Sequence, residues 1–348
     1  MRPVPLVALL VAACGYPHGV TRVLATGTPA TVPSPFPATA LYPGDDARGA
    51  SADLGGNVWI ATAAGVRVVT PSGGSATLDA AAGLPDDDVA CATGGKAGEA
   101  VVGFGPQLAS GSSQIDLLTL EGGQIQSAPK AFVLTGEIVE ANYAAYDVAR
   151  DQFWIGTNEG ISLLSAAGDA IEHRHPVHPH GMTLGVAITP SGDVWDADQF
   201  ELSRLNAGPS ADFAATFDPI LQPFAQAEQD LTSAFVDGAG DVWAGSLVHG
   251  LCRLDPKTYE VTTWDLATGL PSLSVQSIAL DPDGTIWVGT DSGLGRLDPA
   301  TGSWRLYQPG GASDLPSLDV IDVVVDTSRD PRRVLVTTAA GVVSYAGP

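Results

Sequence analysis

Four of the chain's six histidines fall within eight residues, in the stretch His173-Arg174-His175-Pro176-Val177-His178-Pro179-His180. In extended chain, residues two apart point the same way, so His173 can act with His175, and His178 with His180. Imidazoles at that spacing can hold zinc, nickel or copper, and a divalent transition metal is the one cofactor this sequence invites. The opposing reading is a stiff, solvated connection whose imidazoles are partly protonated below about pH 6.5. A second group is the carboxylate run Asp86, Asp87 and Asp88. It can attract a cation or an amine, or simply cap a turn. His249 stands alone in Leu247-Val248-His249-Gly250. What any of these residues can do depends on the elements that carry them.

Composition limits those elements. The 348 residues include 41 Gly and 26 Pro, with 45% hydrophobic residues, which predicts many turns between short strands around an ample core. Thirty-nine acidic residues against 16 basic ones give a formal charge of -23. That charge repels phosphate backbones and anionic headgroups, so nucleic acid is excluded as a partner and any membrane contact is expected only through a lipid anchor.

The N-terminus carries one basic residue and a short apolar run, and then Val11-Ala12-Ala13-Cys14. It has the parts of an export signal, and small residues before a cysteine resemble a bacterial lipobox. The resemblance implies a signal peptide over residues 1–13 and an acylated Cys14 at the start of a tether over 14–43. Gly15, where an inner-membrane sorting rule has Asp, favours the outer membrane of a bacterial cell envelope. No other run is long enough to cross a bilayer.

A repeat fills the rest. Asp281 to Trp304 and Asp237 to Trp264 are its clearest copies, with further copies around Trp59, Trp154 and Trp195 and weaker ones around Val102 and Leu335. These seven anchors lie between 41 and 52 residues apart. Each unit reads as four short strands, joined in the sixth by Asp-Pro-Asp-Gly and Asp-Pro-Ala-Thr-Gly turns. One such sheet cannot bury both faces, whereas seven packed radially can. The prediction is an all-β, seven-bladed β-propeller of four-stranded antiparallel blades over residues 44–348. The seventh unit stops after its third strand, so an N-terminal strand at residues 20–27 is expected to close the ring.

The pattern Gly269-Leu270-Pro271, Val275, Ile278, Asp281 to Gly284, Ile286-Trp287-Val288-Gly289-Thr290, Gly293-Leu294 and Arg296-Leu297-Asp298 resembles the two-component regulator propeller repeat. That resemblance implies a sensor-like fold, as in periplasmic sensor regions and freestanding exported proteins, without signalling enzymology. Streptogramin lyase, another seven-bladed propeller, is the enzyme comparison, and its chemistry relies on histidine and glutamate near the central channel. The inner strands Leu184 to Pro190, Leu231 to Asp237 and Ser274 to Leu280 carry no histidine.

Strand alternation puts the turn between second and third strands on the same face as the connections between blades. The repeat register places His173 at the end of the third unit's outer strand and His175, His178 and His180 in the connection onward. Asp86 to Asp88 and His249 belong to that loop face too. Cys91 and Cys252 fall on well-separated blades, so no disulfide between them is expected. The reading is a non-catalytic, monomeric lipoprotein whose loop face binds a protein, a glycan or a small ligand in a sensory or scaffolding role. A lyase-type enzyme and a histidine-loop metal binder are the alternatives.

Overall fold

The computed structural model describes residues 19–30, 33–105, 114–131, 140–158, 160–165, 171–174, 182–206, 216–226 and 228–346. They form seven sheets around a central channel. From the channel outward, blade one is Ala47–Ala52, Val58–Thr62, Gly65–Val69 and Ser75–Leu78, and blade six is Val275–Leu280, Ile286–Thr290, Gly293–Asp298 and Ser303–Tyr307. Every neighbouring pair in these two blades is antiparallel. No helix among the described residues is long and apolar enough to cross a membrane.

Two chemical devices set the blade. At the first turn an aspartate accepts the indole N–H of the tryptophan six residues on: Asp53 with Trp59 at 3.0 Å, Asp237 with Trp243 at 2.9 Å and Asp281 with Trp287 at 3.0 Å. The indole can therefore be buried between sheets without leaving a donor unpaired. At the second turn a threonine hydroxyl donates to the carbonyl of the glycine three residues on, as in Thr290 to Gly293 at 2.7 Å. Gly293 has φ 117°, and a Cβ there would lie 2.6 Å from the Tyr307 carbonyl. Only glycine lets the third strand start so close under the outer one.

The register corrects two expectations. In blade two, Val101 pairs with Thr93 as Trp59 pairs with Ser51, so Val101 holds the tryptophan's place, and Val102, taken as the anchor, holds that of Ile60. With no tryptophan in that unit, one apolar neighbour looked much like the other.

The ring is closed by Ala38–Tyr42, antiparallel to Gly341–Tyr345 as the outer strand of blade seven. The segment expected to do this, residues 20–27, instead contributes Thr21–Leu24, a fifth strand lying parallel to Glu260–Trp264 of blade five. Residues 19–30 and 33–42 thus run as a strap along three blades, touching blade six through a bridge from Thr28 to Ser303 and a bond from Ser34 N–H to the Leu306 carbonyl at 2.6 Å. Arg22 fastens its start by donating to the carbonyls of Gln222, Pro223 and Phe224 at 2.7 to 2.9 Å. Phe36 fixes its end, fully buried and stacked on Tyr345 at 4.4 Å. The propeller therefore begins before residue 44, because the buried anchor of the closing strand is Phe36.

Candidate functional site

The inner strands begin at the loop face, where the blade-to-blade connections arrive. Each carries one irregularity near its start. The strand register slips between Ala47 and Gly49, Val89 and Cys91, Ala141 and Tyr143, Thr183 and Gly185, Leu231 and Ser233, Val275 and Ser277, and Val320 and Asp322. A bulge leaves one residue unpaired and re-aims its side chain. Here the extra residues are Arg48, Ala90, Asn142, Leu184, Thr232, Gln276 and Ile321, and all seven line one cavity of about 680 Å³, the channel itself. A cation, two amides, a hydroxyl and three aliphatic groups thus form one ring on otherwise equivalent scaffold positions.

The residues that follow the bulges add the chemistry. Asp322 is held by the Ser277 hydroxyl, which donates to Oδ1 at 2.9 Å, and by the Ala50 N–H, which donates to Oδ2 at 3.3 Å. Burial raises its carboxyl above the usual carboxylate range against the pull of those donors. Burial also pushes the Cys91 thiol up to about 12, with the Asp322 carboxylate adding to the rise. Burial raises the Tyr143 phenol as well, again with Asp322 contributing. The Asn142 amide nitrogen and the Ser233 hydroxyl are buried at the channel wall without hydrogen-bond partners among the described residues. Thr232 donates to the Val275 carbonyl at 2.9 Å, and Gln276 to Asp319. Toward the opposite face the lining includes the apolar Phe235, Leu280 and Val325 beside Ser51, Thr93 and Tyr146.

The residues singled out from sequence lie elsewhere. His173 has its backbone in the outer strand of blade three, paired with Ser162. His175, His178, His180 and Cys14 lie outside the described residues. Asp86, Asp87 and Asp88 stabilise their own connection: Asp87 accepts the Ala80 N–H at 2.7 Å, Asp86 accepts the Asp88 N–H at 3.0 Å, and Asp88 pairs with Arg48 at 2.9 Å. His249 is on the loop face of blade five, its Nε2 3.0 Å from the Glu228 carbonyl and its ring 5.3 Å from that of Phe224. Among the described ones, Asp86 to Asp88 and His249 lie on different blades and are not gathered into one site. Cys91 and Cys252 are both free.

Blade four departs from the others. Where the other second strands have an apolar residue, such as Ile60, Ile155, Val288 and Val336, it has Asp196, 1% exposed. Where blades one, three, six and seven have Thr-x-x-Gly at the second turn, it has Asp198 and Glu201, and the Glu201 N–H donates to Asp198 at 2.7 Å. Among the described residues neither Asp196 oxygen has a well-aligned hydrogen bond, and the Thr183 hydroxyl stands beside the carboxyl, stabilising its charged form a little. Burial first, and the Asp198 carboxylate next, raise Asp196 well above its ordinary range, and burial raises Glu201 to about 7. No group of three metal-ligating side chains occurs among the described residues.

Sequence reading missed Asp322 and the bulge ring because it searched the inner strands for histidine. A signal was present. Apolar residues three apart, as in Val89 and Ala92 or Val320 and Val323, break the two-residue period of a regular strand and mark the unpaired position between them.

Residues 269–292 match the two component regulator propeller family, across the connection from blade five and the first two strands of blade six. No curated protein matches the chain by sequence. Among solved structures, virginiamycin B lyase from Staphylococcus aureus is similar at TM-score 0.68 and 14% identity, over 89% of this chain and 98% of that one. The extracellular domain assigned to a hybrid two component system of B. thetaiotaomicron follows at TM-score 0.65 and 14% identity, over 86% of this chain and 39% of that one. YCF48 bound to D1 peptide has TM-score 0.59 and 14% identity, over 92% and 98%. At such identity the likeness establishes the fold alone.

Proposed function

We propose that the protein is a non-catalytic binding module, exported and lipid-anchored through Cys14, that takes a ligand or partner at the loop-face mouth of its channel in a sensory or scaffolding role. The supporting observation is the bulge ring. Seven equivalent scaffold positions carry seven side chains of differing chemistry, converging on a cavity of about 680 Å³, a size suited to a small ligand or an inserted side chain. A packing role would favour similar small or aliphatic residues around the ring. Selection for recognition favours a specific mixture.

An enzyme of lyase type is the alternative, drawn from the likeness to virginiamycin B lyase. It requires an acid and a base within mutual reach, and the described lining offers the Asp322 carboxyl without an imidazole beside it.

Leu184→Trp would fill the mouth from blade four, while Ala239→Trp alters an exposed turn on the opposite face. A compound or peptide that raises the Tm of the unaltered protein and of Ala239→Trp, but not of Leu184→Trp, supports the reading. Equal protection of all three proteins removes the channel mouth from it.

A further inference from the structure

The channel wall carries one carboxylate among its described lining residues, Asp322, and one cation, Arg48. The cation is committed elsewhere. Arg48 reaches outward to Asp88, both side chains half-exposed or more, and it is not among the groups that shift Asp322. Asp322 is therefore a carboxylate facing a cavity without a counter-ion. Its two protein donors, the Ser277 hydroxyl and the Ala50 N–H, orient it without neutralising it. Gly49 keeps the approach open, since a Cβ there would stand 3.3 Å from the nearer Asp322 oxygen.

The surroundings determine what could complete such a group. A half-buried carboxylate lacking a cation carries a desolvation cost, and a ligand that brings positive charge recovers part of it on binding. The formal charge of -23 concentrates cations around the molecule. Tyr143, whose phenol the Asp322 carboxylate influences and which makes no hydrogen bond among the described residues, lines the same cavity while its ring packs partly against the core of blades three and four. Phe235, Leu280 and Val325, deeper in the channel, offer an apolar bed. A bare metal ion fits poorly, because a single carboxylate, two of whose lone pairs already accept from an O–H and an N–H, is not a ligand set. An uncharged ligand would leave Asp322 without compensation.

We infer that the channel takes an organic ammonium ion, its charged head against Asp322 near the loop face and its apolar body toward Phe235, Leu280 and Val325. This rests on the binding-module reading and specifies the ligand's chemical class.

The test is calorimetric titration of the full chain with butylammonium, benzylammonium and phenethylammonium, each beside the alcohol of the same skeleton. At least one ammonium is expected to bind with a Kd below about 1 mM and at least about tenfold more tightly than its alcohol. Added salt should weaken the ammonium and leave the alcohol unchanged. Asp322→Asn should abolish the preference for charge, while Glu121→Gln, on an exposed outer turn, should keep it. The comparison of ammonium with alcohol on the unaltered protein needs no variant, so a folding defect in Asp322→Asn leaves it intact. Equal binding of alcohol and ammonium, or binding of no ammonium at about 10 mM, overturns the inference. Equal binding would leave a binding channel of another specificity, so this failure is distinct from failure of the binding-module reading, which the mouth-filling variant decides.

Discussion

The carboxylate of Asp281 accepts the indole N–H of Trp287 at 3.0 Å and also holds Arg332 of the next blade. One residue thus caps a turn, satisfies a buried indole and fastens blade six to blade seven. Asp237 makes the same indole bond to Trp243 at 2.9 Å, with no inter-blade arginine. Asp237→Ala is expected to cost about 1 to 3 kcal/mol for the orphaned donor and lost turn, and Asp281→Ala more, since two arginines also lose a partner. Urea unfolding of the two variants side by side checks the order.

Ring closure through Phe36 predicts a sharp boundary for N-terminal truncation. A chain starting at residue 33 should keep the fold, and one starting at Pro43 should lose it. Phe36→Ala alone should cost about 3 to 5 kcal/mol, as expected for emptying a fully buried aromatic site. Arg22→Ala releases only the exposed start of the strap and should change the unfolding midpoint little, while increasing protease cleavage before residue 28.

Blade four predicts an inverted pH dependence. Glu201 moves from 4.5 to about 7 on burial, so the folded state binds its proton more tightly than the unfolded chain does. Its contribution is full below about pH 4.5 and is lost as pH rises through 7, by about 3 kcal/mol in all. Asp196, raised for the same reason, acts in the same direction. Glu201→Gln should flatten stability between pH 4.5 and 7 relative to the unaltered protein. Asp196→Val, restoring the side-chain type found at Val288 and Val336, should raise the midpoint at pH 8. A steeper decline in Glu201→Gln would refute the assignment.

The histidine stretch leads into the first strand of blade four. If it holds a transition metal, the purified protein should carry zinc, nickel or copper near one equivalent, lost in the His178→Ala, His180→Ala pair. Sub-stoichiometric metal in both proteins would leave the stretch a solvated connection.

Acylation at Cys14 predicts that membrane association disappears in Cys14→Ser. Membrane retention of that variant would remove the lipid anchor.

The blades were legible because their determinants are local. Asp-x5-Trp and Thr-x-x-Gly each fix a turn with residues close in sequence, so five units could be placed from their tryptophans alone. Closure was not legible to the residue, since two N-terminal segments had β-forming composition and the choice depends on a distant contact, Phe36 against Tyr307 and Tyr345. The channel chemistry was harder still. Asp322, Ser277 and Ala50 belong to three different blades, and nothing local in Val320 to Asp326 indicates that the carboxylate finds donors 45 and 272 residues away.

The fastening of Thr21–Leu24 to blade five has a mechanical consequence. The described chain enters at that rim and ends on blade seven, about 100° around the ring. Cys14 precedes Thr21 by seven residues, a reach of at most about 25 Å. An acyl anchor there would suspend the disc by its edge, like a wheel hung from the tyre, with both mouths of the axle hole open sideways along the membrane.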